Sequence, residues 1–223
     1  MTKVYLSGSE SINNEIKEFL SGKAEFTENI ESAGIIINTT NFPEYEKSEE
    51  LQYIESATPN NVPILTSSLC VSVSEQCRLQ AHPARLIGIG LYDTFSKAKR
   101  IEIAPSKITD TAILKNAESF LSEAGINYSI VPDRVGLIFP RIVSMIINEA
   151  AQVYSEQVAS KEDIDTAMKL GTNYPFGPLE WADRLGVELV YNILAALQRD
   201  FGEDRYRPHP LLKEMANLNK KFY

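Results

Sequence analysis

Few residues in this chain are placed to do chemistry. A short apolar run, KVYL at 3–6, leads into Ser7-Gly8-Ser9-Glu10-Ser11-Ile12-Asn13 and then into a helical pattern. A strand, a glycine-rich turn and a helix together gather backbone N–H groups for a pyrophosphate, and that cradle needs three spaced glycines. Only Gly8 is present; Glu10 puts bulk and negative charge at the second position, and Asn13 fills the third. The only histidines are His82 and His209, and the only cysteines Cys70 and Cys77. The two thiols could share a helix face, but with two distant histidines they have no metal-site spacing. His82, on a turn beside Pro83, and His209 both read as surface residues.

Two kinds of scaffold must position these residues. In the first half, strand-like runs at 3–6, 34–38, 63–65, 86–92, 100–104 and 128–131 alternate with helical ones. Residues 9–20 carry Ile12, Ile16, Phe19 and Leu20 at helical spacing, and residues 110–123 carry Ile113, Leu114, Ala117, Phe120 and Leu121. Such alternation predicts a largely parallel α/β sheet. From Phe139 onward the pattern is helical. Residues 141–154 are apolar at nearly every core-facing position, which predicts burial on more than one side, and 187–197 form another amphipathic run. The architecture changes near 132–138 without a Gly/Ser tether, so the expected domains are 1–132 and 133–223.

Composition narrows the class. The 223 residues are 43% apolar and 23% charged, with a net charge of −8. That charge disfavours nucleic-acid and anionic-membrane partners. The N-terminus lacks the apolar run of a signal peptide and no later run is long enough to span a bilayer, so the expectation is a cytoplasmic protein.

The most specific stretch is 159–186, ASKEDIDTAMKLGTNYPFGPLEWADRLG. Ser160 and Asp163 predict a capping box, with the hydroxyl taking a first-turn N–H and the carboxylate reaching back. Gly171 is the expected left-handed stop, Tyr174 to Pro178 a turn, and Pro178 the opening of the next helix. The string resembles the helical C-terminal domain of the 3-hydroxyacyl-CoA dehydrogenase family. Five further stretches resemble that family in order, from about Thr66 to about Met215: Thr66-Ser67-Ser68-Leu69, RLIGIGLYDT at 85–94, RIEI at 100–103, DRVGLIFPRI at 133–142 and RYRPHPLL at 205–212.

The resemblance implies a Rossmann-like domain followed by a helical dimerisation domain, NAD as cofactor, and a histidine–glutamate pair that takes the proton of a substrate 3-hydroxyl. In this register the histidine position is Gly90 and the family asparagine falls on Pro140, while a second asparagine position holds Asp93. Glu102 matches the family glutamate and Ser67 or Ser68 a family serine, which makes Glu102 and Ser67 the candidate site residues, both vestigial. Glu102 could pair instead with Arg141. As a lone base, a carboxylate with a reference pKa of about 4.3 is poorly matched to the task. The chain reaches the 34–38 strand too soon after the first turn, so half of the nucleotide-binding domain is expected to be missing. Glu25 is the only acid at a distance resembling the ribose ligand's, and it is not assigned that role. The expectation is a shortened Rossmann-like α/β domain with no cofactor, a homodimer, and a binding or assembly role with an acyl-CoA or protein partner. The alternative is an NAD-dependent 3-hydroxyacyl-CoA or 3-hydroxybutyryl-CoA dehydrogenase of fatty-acid metabolism with a divergent site.

Overall fold

The computed structural model describes residues 1–98 and 100–223. They form two compact units, Met1–Leu137 and Ile138–Tyr223. The first is built on seven strands: β1 Lys3–Ser7, β2 Glu25–Phe26, β3 Ile35–Asn38, β4 Ile64–Ser67, β5 Leu86–Ile89, β6 Ile101–Pro105 and β7 Tyr128–Ile130. Their order is β2-β1-β3-β4-β5-β6-β7. Every adjacent pair is parallel except β5–β6. β3, β4 and β5 are buried along their whole length, as apolar runs in a sheet covered on both faces should be.

Helices α1 Glu10–Phe19, α2 Glu44–Ala57, α3 Val73–Gln76 and α4 Thr111–Glu123 lie between the strands. α1 buries Ile12 and Ile16, and α4 buries Ile113, Ala117, Phe120 and Leu121, the faces read from periodicity. Asp110 caps α4 by accepting from the N–H groups of Ala112 at 2.6 Å and Ile113 at 3.2 Å. The sequence pattern does not reveal α2, because its inward positions are Lys47, Leu51, Ile54 and Glu55. Two of the four are charged, so the apolar period is broken. Leu51 and Ile54 nevertheless join Ile36, Ile64, Val73 and Leu86 in one cluster. Arg85, also buried, closes α2 by donating to the Ile54, Thr58 and Pro59 carbonyls. The Cys70 and Cys77 thiols form no disulfide and flank α3 without sharing a helix, contrary to the sequence expectation.

The charged face of α2 reaches a buried polar network. Asn38 Nδ2 donates to Ser7 Oγ at 3.0 Å and Glu50 Oε2 at 2.8 Å. Lys47 Nζ donates to Asn38 Oδ1 at 3.1 Å and the Thr40 carbonyl at 2.7 Å. Thr66 Oγ1 lies 3.3 Å from Asn38 Oδ1 and donates to Gln76 Oε1 at 2.7 Å. Lys47 is 2% exposed. Burial pushes its pKa down to about 7, against the opposing pull of Glu50 and Cys70.

The second unit holds α5 Phe139–Ser155, α6 Lys161–Thr172, α7 Pro178–Leu185, α8 Val187–Phe201 and α9 Pro210–Asn217. α5 packs against all four others, which accounts for its apolar character. Ser160 accepts from Asp163 N at 3.1 Å, as expected of a cap. The Asp163 carboxylate returns to the Ser160 hydroxyl at 2.7 Å rather than to the backbone. Gly171 is not the stop: α6 runs through it, and Asn173 takes the left-handed conformation at φ 56. Asparagine tolerates that region because its short side chain bonds locally.

Pro178 does open α7, and Gly177 before it is required by its neighbour. A Cβ at Gly177 would lie 2.2 Å from the Asp165 side chain. Asp165, 1% exposed, accepts from Leu179 N at 2.8 Å, Glu180 N at 3.0 Å and the Tyr223 hydroxyl at 2.9 Å. An α6 carboxylate thus serves as the cap of α7, where partial positive charge favours it.

Two outcomes follow from this packing. Asp165→Ala strands two N–H groups and should cost the helical unit about 2–4 kcal/mol, read from the urea midpoint of Trp181 fluorescence. An unchanged midpoint would show that the cap is dispensable. For Lys47 the unfolded amine titrates near 10.5 and the folded one near 7. Between those values the unfolded chain holds a proton that the folded chain lacks. Stability therefore gains from this residue as pH rises across the window, by up to about 1.4 kcal/mol per unit, and the burial penalty is full below 7. Urea unfolding at pH 7 and 9.5 should show this rise in the native protein and lose it in Lys47→Met; parallel profiles would refute it.

Candidate functional site

In doubly wound sheets, ligands sit beyond the carboxyl ends of the strands, at the turn after the first strand. Here that turn keeps one glycine. Gly8 has φ +92, and a Cβ there would lie 2.5 Å from Thr40 N and Oγ1 and 2.8 Å from Thr39 Oγ1. No other residue fits. The Thr39 hydroxyl donates to the Ser7 carbonyl at 2.8 Å and lies 3.0 Å from Asn13 Oδ1, so Asn13 is bonded where a glycine would leave open space. Glu10 is exposed in the first turn of α1, where its carboxylate answers the positive end of the helix that a pyrophosphate would use.

The segment after β5 is tied to α1. Asp93 Oδ1 accepts from Ser11 Oγ at 2.5 Å. Glu15 accepts from Thr94 N at 2.8 Å, from Ser96 N at 2.9 Å and from the Ser96 hydroxyl. Asp93 therefore holds down a loop. β2, which the sequence pattern does not reveal, is a two-residue strand at the sheet edge, with Lys3 opposite Glu25. Glu25 begins that strand and faces Lys3 at 3.8 Å, so it stands away from the carboxyl end; Glu28 lies beyond that end.

Antiparallel pairing of β5 with β6 brings Glu102 beside Gly90, with Gly90 N donating to the Glu102 carbonyl at 2.9 Å. A Cβ at Gly90 would lie 3.8 Å from Glu102 Cβ and 2.8 Å from Leu137 Cδ1. The space for a side chain at 90 is therefore filled by Leu137. Leu137 is 5% exposed and adopts φ 51, a left-handed conformation costly for a residue with a Cβ. Sequence spacing could not place Leu137 there, 47 positions away in the chain.

Tyr92 is buried, and its hydroxyl is held above the ordinary tyrosine range by burial, then by the charges of Glu102 and Glu15. Ser67, buried at the end of β4, donates to Asn41 Oδ1 at 2.5 Å. Ser68 Oγ is buried with no hydrogen-bond partner among the described residues, against the position a Gly88 Cβ would take. In the helical unit Pro140 lies in the first turn of α5, where its missing N–H costs nothing. The Arg141 guanidinium stacks 4.5 Å from the Phe201 ring and meets the Tyr206 hydroxyl, so it is committed within its own unit. His82 is exposed. His209 is a half-buried cap whose Nδ1 accepts from Leu211 N at 3.2 Å, a structural duty the sequence reading did not foresee. No group of three or more His, Cys, Asp or Glu among the described residues could hold a metal, and none of the described helices is long and apolar enough to cross a membrane.

Comparison with known proteins places this geometry. Residues 136–221 match the C-terminal domain of 3-hydroxyacyl-CoA dehydrogenase. A 3-hydroxybutyryl-CoA dehydrogenase of Clostridioides difficile is 28% identical over 99% of this chain and 79% of its own length. The 3-hydroxyadipyl-CoA dehydrogenase of Escherichia coli is 40% identical over 56% of this chain but only 26% of its own length. The crystal structure of (S)-3-hydroxybutyryl-CoA dehydrogenase from Ralstonia eutropha shares the fold, with a TM-score of 0.79 at 20% identity over 100% of this chain and 98% of that one. The mostly parallel sheet, the helical unit matched over 136–221 and the relatives found along the chain together support the 3-hydroxyacyl-CoA dehydrogenase family.

Proposed function

We propose that this family member has no dehydrogenase activity and serves as a binding or assembly protein. The observation that carries the reading is Leu137 packed into the space a side chain at position 90 would need, beside Glu102. With glycine at position 90, the imidazole that would take the hydroxyl proton beside Glu102 is missing. The residues after β1 do not fit a dinucleotide, because Glu10 opposes a pyrophosphate at the helix end and Asn13 fills the third glycine position. A working dehydrogenase with relocated chemistry is the second reading, favoured by Glu102, which keeps the family glutamate's place beside Gly90. We further propose a cytoplasmic homodimer formed through the helical unit, on which Ile142, Val158 and Leu170 are exposed.

NADH titrated into the protein should give no saturable fluorescence change up to high micromolar concentration, and acetoacetyl-CoA with NADH should not turn over. Gly90→His alone, and Gly90→His with Leu137→Ala to admit the ring, should remain inactive, because Glu10 and Asn13 are untouched. Turnover by the native protein or a tight NADH curve would overturn the non-catalytic reading in favour of the second one. A thermal-shift screen against CoA esters tests acyl-CoA binding separately. Light scattering during gel filtration should give twice the chain mass of 25.0 kDa, and a single-chain mass would refute the dimer.

A further inference from the structure

A cleft of about 440 Å³ lies between α2 and α3, away from Gly90 and Glu102, and Lys47 is part of its wall. Tyr45, Leu51, Val71 and Leu79 supply its apolar walls, and Glu44, Ser48, Glu75 and Gln76 stand among them as polar ones. Gln80 completes them; its Oε1 and Nε2 are both buried without a partner among the described residues, leaving an acceptor and a donor side by side. Buried amides in proteins are nearly always paired, so this one is suited to a polar group on something that enters the cleft.

Lys47 Nζ makes two donations, to Asn38 Oδ1 and the Thr40 carbonyl. An ammonium carries three N–H bonds, whereas a neutral amine has two and a lone pair. Two acceptors therefore satisfy the neutral form completely and leave its lone pair uncommitted. Glu50 and Cys70 are the ionisable groups acting on it, and burial outweighs both. Desolvated lysines of this kind are the nucleophiles that form Schiff bases.

We propose that the α2–α3 cleft binds a small apolar aldehyde, which condenses reversibly with Lys47. The nitrogen lone pair bonds to the carbonyl carbon, both amine protons leave with the carbonyl oxygen as water, and a neutral C=N bond remains. No oxidant or reductant takes part. The apolar body of the aldehyde rests on Leu51, Val71 and Leu79, and a polar substituent can pair with the Gln80 amide.

Butyraldehyde with sodium cyanoborohydride at pH 7, followed by peptide mass mapping, tests this. An ordinary lysine near pKa 10.4 is free amine in only about one molecule in 10³ at that pH. Lys47 should therefore be alkylated at least about tenfold faster than the mean surface lysine. Ser48→Trp and Leu79→Trp narrow the cleft from opposite walls and should cut labelling of Lys47 about tenfold, leaving the surface lysines unchanged. Labelling of Lys47 at or below the surface rate in the native protein overturns the proposal. So does native-rate labelling in both tryptophan variants with unchanged circular dichroism, since access would then not run through the cleft.

Discussion

The carboxyl edge of a parallel sheet ends in polar groups that must find partners, and in this chain the partners are its own. Ser7, Asn38, Thr66 and Ser67 end or nearly end β1, β3 and β4, and they are paired by Lys47, Glu50, Gln76 and Asn41. Buried polar groups are tolerable only when satisfied, so this network fixes the position of α2 and of the segment between β3 and α2. That segment in turn presses Thr39 and Thr40 against Gly8, which is why the one remaining glycine cannot be exchanged.

A second consequence concerns charge. The turn after β1 offers the N-terminal end of α1, and Glu10 stands there. Lower on the same helix, Glu15 gathers the backbone of Thr94 and Ser96, while Ser11 holds Asp93. Glu15 and Asp93 are thus engaged in holding the chain to itself. Leu137 does in apolar terms what these groups do in polar ones. It accepts an unfavourable backbone conformation to fill the space over Gly90. Likeness to the family and different side chains at Glu10, Asn13 and Gly90 are compatible, because the fold rests on the buried strands and on the Asp165 cap of α7 while chemistry depends on a few side chains.

Much of the scaffold was legible because burial leaves a period in the sequence. α1 and α4 show their inner faces, β3 shows its continuous apolar run, and Pro178 marks the start of α7. Where the inward residues are charged, as at Lys47 and Glu55 of α2, the period fails and the helix goes unseen. A two-residue strand such as β2 is too short to carry any period. Glycine is the commonest left-handed residue at a helix end, which points to Gly171 as the α6 stop, yet Asn173 holds that conformation.

The sequence alone determined the lineage, the order of strands and helices over most of the chain, and the absence of a side chain at 90 and of two glycines after β1. Those are properties of residue type and spacing. Only the tertiary structure decided which residues meet: Leu137 over Gly90, Asp165 under Gly177, and a buried lysine with two acceptors at the carboxyl edge of the sheet. The physical reason is that burial and pairing depend on distances between residues remote in the chain. Type and spacing do not encode those distances until the sheet is formed.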